Sequence, residues 1–321
     1  MEILFWCLLA LVAIAVLTLL TSAVCFFMIF YFPKRRESDE YPIPKGEIYE
    51  PFHEQMIEWI RQARTLPHTD VSVTSYDGLT LRGRYYEHKK GGPIEIMFHG
   101  YRGNSEQDLS GGVFRCRSLG HNALVVDQRG AGRSDGHVVT FGVKESRDCL
   151  AWIDFVLQNI APDADIILTG ISMGAATVLT ASSFDLPSNV IGVLADCGYT
   201  SARDIICKVI RDDIKLPAKF FYPFVRLGAL LFGGFDPDAR SPIKSMQCCR
   251  VPVIFFHGDT DAFVPHWMSE ENYRACVAEH KRLVLTPNAG HGICFPVDPD
   301  TYLAEMKAFF TPIYKNSKAE K

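Results

Sequence analysis

The sequence predicts an α/β protein with a mostly parallel sheet flanked by helices and preceded by one N-terminal transmembrane helix. The first supporting observation is an uncharged apolar run over residues 3–32. The second is the alternation of short apolar runs with helix-like segments after residue 86, which is typical of βαβ units. The third is a glycine-containing turn around Ser172 that joins one of these strands to a helix.

The individual elements follow in order along the chain. An amphipathic helix is predicted over 54–64, followed by a hairpin whose two strands turn at Asp77-Gly78. Its strands and the later ones are predicted at 71–76, 81–86, 94–98, 123–126, 166–168, 190–195, 251–256 and 283–285. A last helix over 300–310 places five apolar residues on the face toward the sheet: Tyr302, Leu303, Met306, Phe309 and Phe310.

The apolar run at the start predicts a membrane anchor over residues 1–32. A bilayer core needs about 20 apolar residues per helix, so the run is long enough. A cleaved signal peptide is the alternative, but its apolar region is usually only ~7–15 residues long and follows a basic start. We therefore expect an uncleaved anchor, a charged and proline-rich juxtamembrane linker over 33–51, and a single domain over 52–321.

The basic residues near this run predict its orientation. None precedes it, whereas Lys34, Arg35 and Arg36 follow it directly. Basic residues stay on the cytoplasmic side of a single span. The protein is therefore expected to cross the cell membrane once, through residues 3–32, with its domain in the cytoplasm.

The turn around Ser172 has the pattern G-x-S-x-G and lies between an apolar strand and a helix. A strand-to-helix turn this sharp requires small residues on both sides of the serine, and Gly170 and Gly174 occupy those positions. The turn leaves the hydroxyl exposed above the sheet edge. Ser172 is therefore the candidate nucleophile.

A serine nucleophile needs a base and an acid that orients the base, and both occur later in the chain. His291 is the candidate base because it is late and lies in a loop of small residues. Three aspartates, Asp196, Asp259 and Asp261, follow apolar runs and remain candidates for the acid. Among the other histidines, His121 is interpreted as a surface residue.

Five motifs together resemble the α/β-hydrolase superfamily, most closely membrane-anchored bacterial serine esterases and serine aminopeptidase-like members of the S9/S33 type. They are H-G-x-x-x-N at 99–104, D-x-R-G-x-G-x-S at 127–134, G-x-S-M-G at 170–174, H-G-x-x-D-x-x-V-P at 257–265 and G-H at 290–291. The resemblance implies the α/β-hydrolase fold with a small helical cap. It assigns the orienting acid to Asp261, leaves Asp259 as a turn former and keeps Asp196 in reserve.

The resemblance also implies an oxyanion hole made of the backbone N–H groups of Tyr101 and Met173. His99 is expected to be structural rather than a base. Asp127 and Arg129 are expected to hold a loop beside the serine turn, since the phosphate-loop alternative lacks its lysine.

The segment 198–250 interrupts the alternation and predicts a cap of two or three short helices. Its aromatic residues, many of them within 220–232, would line an acyl or apolar pocket. Two alternatives stay open, namely an extra core layer without substrate contact and a membrane-dipping surface.

Composition excludes several other classes of function. The net charge is −4 with dispersed basic residues, so nucleic acid is not an expected partner. We expect neither a metal nor any other cofactor, because no metal-ligand spacing or nucleotide fingerprint occurs. The ten scattered cysteines fit buried thiols in a reducing compartment.

The sequence therefore predicts a membrane-anchored serine hydrolase that acts on small carboxylic esters. A peptide-like substrate is the alternative, because a triad does not distinguish an alcohol from an amine leaving group. A tethered scaffold that has lost turnover is a further alternative, since a fold does not establish a function.

Overall fold

A computed structural model describes residues 1–33 and 40–319, with side chains to residue 314. In these ranges it contains one sheet of eight strands in the order β1-β2-β4-β3-β5-β6-β7-β8. The strands are β1 Thr69–Thr74, β2 Thr80–Tyr86, β3 Ile94–Phe98, β4 Asn122–Asp127, β5 Ile166–Ile171, β6 Val190–Asp196, β7 Val253–Gly258 and β8 Lys281–Thr286. Both pairings of β2 are antiparallel and the other five pairings of the sheet are parallel, so the prediction of a mostly parallel sheet is confirmed.

Helices cover both faces of the sheet, as the buried strands β3, β4, β6 and β7 require. The helices of the described ranges are α1 Glu2–Ile29, α2 His53–Thr65, α3 Ser105–Leu119, α4 Glu145–Phe155, α5 Met173–Ala181, α6 Ala202–Lys208, α7 Ala218–Gly233, α8 Pro242–Met246, α9 Trp267–Ala275, α10 Cys294–Val297 and α11 Pro299–Ala319. One face of the sheet packs against α2, α3 and α11, and the other against α4, α5 and α8.

The last helix packs as its periodicity predicts. Tyr302, Met306, Phe309 and Phe310 are buried, and Leu303 is half-buried against the same cluster. The ring of Tyr302 stacks on Phe256 of β7 with their centroids 3.8 Å apart. This apolar face of α11 therefore closes one side of the sheet.

A buried charged cluster lies on the same side, and it contradicts one expectation. Glu95 of β3 accepts hydrogen bonds from Arg115 (2.5 Å) and from Nδ1 of His121 (2.7 Å). Burial acts to raise the pKa of Glu95, but Arg115 and His121 outweigh it and hold that pKa well below its usual range. The interpretation of His121 as a surface residue is wrong, because its partner carboxylate lies on a buried strand.

The segment 198–250 forms a helical insertion on the sheet edge, containing α6, α7 and α8. Tyr222, Val225 and Ala229 of α7 are buried, while Phe220, Leu230, Leu231 and Phe232 are exposed. The aromatic residues of α7 do not line a pocket beside Ser172. The cavity beside Ser172 is lined instead by isoleucines of the segment 205–214, which precedes α7.

Helix α1 is the one described helix that is long and apolar enough to cross a membrane. Its last two turns do not stand apart from the domain. Phe26 and Phe30 are buried in a core cluster with α6 and α7. Phe30 O accepts a hydrogen bond from Val139 N (2.9 Å), and Phe32 N donates one to His137 O (2.6 Å).

The division into an anchor at 1–32, a linker at 33–51 and a domain at 52–321 stays a prediction, and the geometry qualifies it. The last residues of the expected anchor are part of the folded domain, because large aromatic rings at 26 and 30 find apolar partners there. Lys34, Arg35 and Arg36, on which the predicted orientation rests, lie outside the described residues.

The crossing of α1 and α7 depends on Gly228, and this generates a prediction. A Cβ on Gly228 would lie 2.2 Å from the carbonyl oxygen of Ser22. Alanine normally stabilises a helix interior by ~1 kcal/mol relative to glycine. We expect Gly228→Ala to lower the free energy of unfolding by about 1–3 kcal/mol instead, because the helices must separate. Thermal unfolding of the full chain in detergent micelles measures this.

The matched control is Leu230→Ala, an exposed position on the same helix. Its effect should stay within about 0.5 kcal/mol. A gain in stability from Gly228→Ala would contradict the close packing of the two helices.

Candidate active site

Ser172 lies at the sharp turn between β5 and α5, as the sequence predicts. Its backbone has φ 55° and ψ −114°, a strained conformation for a residue with a side chain. The turn is possible because both flanking glycines lie against backbone. A Cβ on Gly170 would lie 2.1 Å from Gly174 O, and one on Gly174 would lie 2.0 Å from Phe98 O.

His291 and Asp261 meet Ser172 in a continuous chain of hydrogen bonds. Nε2 of His291, in the loop after β8, lies 2.9 Å from Ser172 Oγ. Its Nδ1 lies 2.7 Å from Oδ2 of Asp261, in the loop after β7. Because an ionised carboxylate only accepts hydrogen bonds, Nδ1 donates to Asp261 and Nε2 is left to accept from the serine hydroxyl. The structure thus brings the three predicted site residues together.

The carboxylate of Asp261 is buried and fully engaged. Its Oδ1 accepts hydrogen bonds from the backbone N–H groups of Phe263 (2.9 Å) and Val264 (2.8 Å). Nε2 of His257 lies 3.2 Å from the same Oδ2 that faces His291. Burial acts to raise the pKa of Asp261, but hydrogen bonds from His257 and His291 outweigh it and hold the pKa below its usual range. Asp261 is therefore charged.

The two other aspartates take different places. Oδ2 of Asp196 accepts a hydrogen bond from Tyr302 Oη (3.0 Å), and burial raises the pKa of this carboxyl. Its backbone carbonyl accepts the N–H of Ser172 at 2.8 Å. Asp259 accepts the N–H of Asn288 (2.7 Å) and so holds a turn. Neither carboxylate is hydrogen-bonded to His291.

The two backbone N–H groups expected to form an oxyanion hole flank Ser172. Met173 is the first residue of α5, so its N–H has no acceptor within the helix. Tyr101 follows His99 and Gly100 after β3 and lines the cavities at the serine. Gly100 N donates to the buried carboxylate of Asp108 at 2.9 Å. This contact fixes the peptide between His99 and Gly100, which adjoins the peptide that carries the Tyr101 N–H.

Sequence reasoning missed Asp108. A Cβ on Gly103 would lie 2.0 Å from its Oδ2, so the loop 100–103 wraps closely around the carboxylate. Burial raises the pKa of Asp108. The available signal was an acidic residue in the first turn of the helix that Asn104 caps, where Asn104 Oδ1 accepts Gln107 N at 2.8 Å.

His99, Asp127 and Arg129 support these loops without contacting Ser172. The imidazole of His99 lies 2.7 Å from Gly100 O and accepts Gln128 N at 3.0 Å. Asp127 accepts the N–H of Ser105 (2.9 Å), and Arg129 makes two hydrogen bonds to Asp148, each 2.6 Å long. These positions match the structural roles expected for the three residues.

The loop after β3 also holds the end of helix α1. Tyr101 Oη donates to Ile29 O at 2.8 Å, and a guanidinium nitrogen of Arg102 donates to Met28 O at 2.6 Å. The last carbonyls of a helix have no partners within it, and a cation there is favoured by the helix dipole. The segment that carries one expected oxyanion N–H is therefore tied to α1.

Two cavities of different character meet at Ser172. One, of about 290 Å³, is almost wholly apolar and lies toward α1 and the insertion. The other, of about 540 Å³, contains charged and polar side chains, including Gln107, Asp108 and Arg115. Residues 44–49, within the expected linker, line this second cavity. Their lack of a recognisable motif explains why sequence reasoning treated them as a connection only.

One group of potential metal ligands coincides with this site. The ligand atoms of Cys197, Asp261 and His291 lie within 4.8 Å of one another. Burial raises the pKa of the Cys197 thiol, which opposes the thiolate that metal binding needs. Asp261 and His291 are already hydrogen-bonded to each other. The donor set therefore suits a hydrogen-bonded triad better than a metal.

A strand-turn-helix serine hydrogen-bonded to a histidine and an aspartate, on a mostly parallel sheet, defines the α/β-hydrolase class of site. The family model described as the alpha/beta hydrolase family matches residues 96–305. The chain belongs to this family.

Two relatives and one solved structure are similar to this chain. YqkD of Bacillus subtilis, an uncharacterized protein, is 26% identical over 192 residues, which are 60% of this chain and 62% of that protein. The polyketide transferase grgF of Penicillium is 31% identical over 128 residues, covering 38% and 43% of the two chains. The esterase Pf2001 of Pyrococcus furiosus superimposes with a TM-score of 0.66 at 21% identity, covering 88% of this chain and 98% of its own.

The contact between Tyr101 and helix α1 generates a prediction about stability. Tyr101→Phe removes the hydrogen bond to Ile29 O without changing the ring. We expect the free energy of unfolding of the full chain to fall by about 1 kcal/mol in detergent micelles. Tyr85→Phe is the control, because its hydroxyl makes no hydrogen bond recorded within the described residues. Equal effects of the two substitutions would contradict the role of the Ile29 contact.

Proposed function

We propose that this protein is a membrane-anchored serine hydrolase that cleaves carboxylic esters through an acyl-enzyme intermediate. The observation that carries the proposal is the chain of hydrogen bonds from Asp261 through His291 to Ser172. Such a chain can take the serine proton as the hydroxyl attacks a carbonyl.

Each member of the chain has a separate task. Ser172 Oγ attacks the ester carbonyl while His291 Nε2 accepts its proton. Asp261 stays charged, fixes the imidazole tautomer and stabilises the imidazolium. His291 then returns the proton to the departing alcohol, and water releases the acyl group by the same steps in reverse order.

The backbone N–H groups of Tyr101 and Met173 receive the oxyanion in this proposal. Such fixed donors act where charge develops, and one of them typically contributes ~3 kcal/mol to transition-state stabilisation. The buried carboxylate of Asp108 supports this arrangement from behind, since it holds the Gly100 N–H and thereby orients the next peptide.

The apolar cavity beside Ser172 favours an ester of an apolar acid. The esterase Pf2001 shares the fold, and the partial relative grgF is named as a polyketide transferase, so the family includes acyl-group chemistry. A serine peptidase or amidase of the S9/S33 type remains the alternative, because the same triad expels an amine as well as an alcohol.

Helix α1 supports the membrane part of the proposal. It is uncharged after Glu2, and most of its length is exposed apolar surface that no described residue covers. Phe26 and Phe30 pack into the domain, which argues for a retained helix rather than a cleaved signal peptide. The cytoplasmic location of the domain rests on the basic residues 34–36 of the sequence.

The first test compares the full chain in detergent micelles with Ser172→Ala on p-nitrophenyl esters of increasing chain length. We expect turnover and fluorophosphonate labelling in the parent, and the loss of both in Ser172→Ala. The matched control is Ser118→Ala, an exposed serine on α3, which should keep the parent rate.

The other outcomes separate the alternatives. Labelling at Ser172 with turnover of peptide p-nitroanilides but not of esters would assign the protein to the peptidases. A folded parent that neither labels nor hydrolyses any of these substrates would contradict the enzyme proposal and leave the scaffold.

The charge on Asp261 generates a prediction about pH. Because its pKa is lowered, the carboxylate is ionised above the usual aspartate pKa of ~3.9, and its contribution is lost only as the pH falls below that value. Asp261→Asn should therefore reduce kcat/KM about 10⁴-fold at pH 8, where the parent carboxylate is charged. Asp259→Asn, at the turn two residues earlier, is the control and should change kcat/KM less than threefold. A reduction of less than tenfold by Asp261→Asn at pH 8 would contradict the proposed role of the charged Asp261.

A further inference from the structure

The apolar cavity beside Ser172 is bounded by the end of the membrane helix. Its walls combine Met28 and Ile29 of α1 with five aliphatic residues of the insertion: Ile205, Ile206, Val209, Ile210 and Ile214. Met28 and Ile214 are also exposed on the outer surface, at 61% and 50% of their area. The cavity therefore reaches from the serine to the surface beside α1.

The burial of α1 fixes how deep this cavity lies relative to a membrane. Residues 2–20 are exposed apart from the half-buried Thr18, whereas Ser22, Phe26 and Phe30 are buried against the domain. At 1.5 Å per residue, residues 2–20 extend about 28 Å, close to the ~30 Å thickness of a bilayer hydrocarbon core. The segment that begins near Ser22 would then lie at the membrane surface, and the domain with it.

Helix α7, whose Gly228 lies against Ser22 of α1, presents an apolar stripe beside that helix. Phe220 and Leu231 are 62% and 54% exposed, and the half-buried Phe224 and Leu227 lie between them at helical spacing. Phe232 of α7 contacts Phe26 of α1 with ring centroids 5.8 Å apart, so the stripe is continuous with the membrane helix. Lys215 and Lys219, both exposed, lie at its start. Apolar residues flanked by lysines are typical of a helix that lies in a membrane interface.

We propose that the substrate is a membrane-resident carboxylic ester whose acyl chain enters the apolar cavity directly from the bilayer, between the end of α1 and the insertion. This inference rests on the proposed serine hydrolase activity. The bilayer is the occupant of the α7 stripe, because the stripe continues the exposed surface of a helix long enough to span it.

The physical advantage lies in the path of the acyl chain. A chain that leaves the bilayer for an aliphatic cavity never has to enter water, so its transfer costs little. The ester carbonyl stops at Ser172, and the polar part of the substrate lies in the second cavity among Gln107, Asp108 and Arg115.

The reaction balances as an ordinary hydrolysis. The bond from Ser172 Oγ to the acyl carbon forms, the bond from that carbon to the alkoxy oxygen breaks, and the alcohol leaves with the serine proton. Water then cleaves the acyl-serine bond, giving a carboxylic acid and the free serine.

The experiment uses the full chain reconstituted in phosphatidylcholine vesicles that contain monoolein. Released oleic acid reports on the membrane-resident ester, and p-nitrophenyl acetate in the same sample reports on a water-soluble one. The variant Phe220→Glu/Leu231→Glu places charge on the stripe without touching the cavity. We expect it to lower the monoolein rate at least tenfold and to change the p-nitrophenyl acetate rate less than twofold.

Val277→Glu is the matched control, because Val277 is 58% exposed and lies outside α1 and α7. It should leave both rates unchanged, and vesicle flotation should recover every variant equally. Equal monoolein rates in the stripe variant and the parent would overturn the inference, as would p-nitrophenyl acetate turnover without monoolein turnover. The proposed hydrolase would stand in both cases. Failure of both esters, with no fluorophosphonate labelling at Ser172, would overturn the proposed function itself.

Discussion

The contact of Gly174 with the carbonyl of Phe98 is the constraint on which the site depends. Here α5 begins against the end of β3, with no room for a Cβ, and this forces the positive φ of Ser172. The same contact brings the loop after β3 beside the first turn of α5. The serine hydroxyl and the N–H groups of Tyr101 and Met173 thus share one edge of the sheet because three backbone segments touch there.

The loop after β3 connects this constraint to helix α1. Asp108 holds its first peptide from inside, while Tyr101 and Arg102 hold the last carbonyls of α1 from outside. Arg102 itself has φ 63°, so the loop is bent at the residue that makes the outer contact. Movement of α1 relative to the domain would therefore pull directly on the peptide beside Ser172. A helix attached in this way is part of the site's framework.

The sequence was most informative where the structure is determined locally. The serine turn, the strands and the loops with Asp261 and His291 depend on nearby glycines and apolar runs, so their positions were predictable. The burial of His121 was not predictable, because it depends on a contact with Glu95, which lies in β3. What covers the apolar stripe of α7 was not predictable either, since such a stripe does not specify whether a helix, a cavity or a bilayer covers it. Residues 44–49 line the larger cavity, but they carry no motif from which this could be predicted.

The two cavities give the site a direction that the triad itself lacks. A serine flanked by identical pockets could bind an ester in either orientation. Here one side is lined mainly by aliphatic residues, whereas the other mixes Asp108, Gln107 and Arg115 with apolar side chains. Because α1 ends at the apolar side, the same helix would orient both the substrate and the membrane in the proposed function. Buried polar groups such as the unpaired Oδ1 of Asp196 and Nε of Arg115 would be costly beside an acyl chain. In the proposed reaction, this favours an acyl chain that lies toward α1 and an alcohol that lies in the larger cavity.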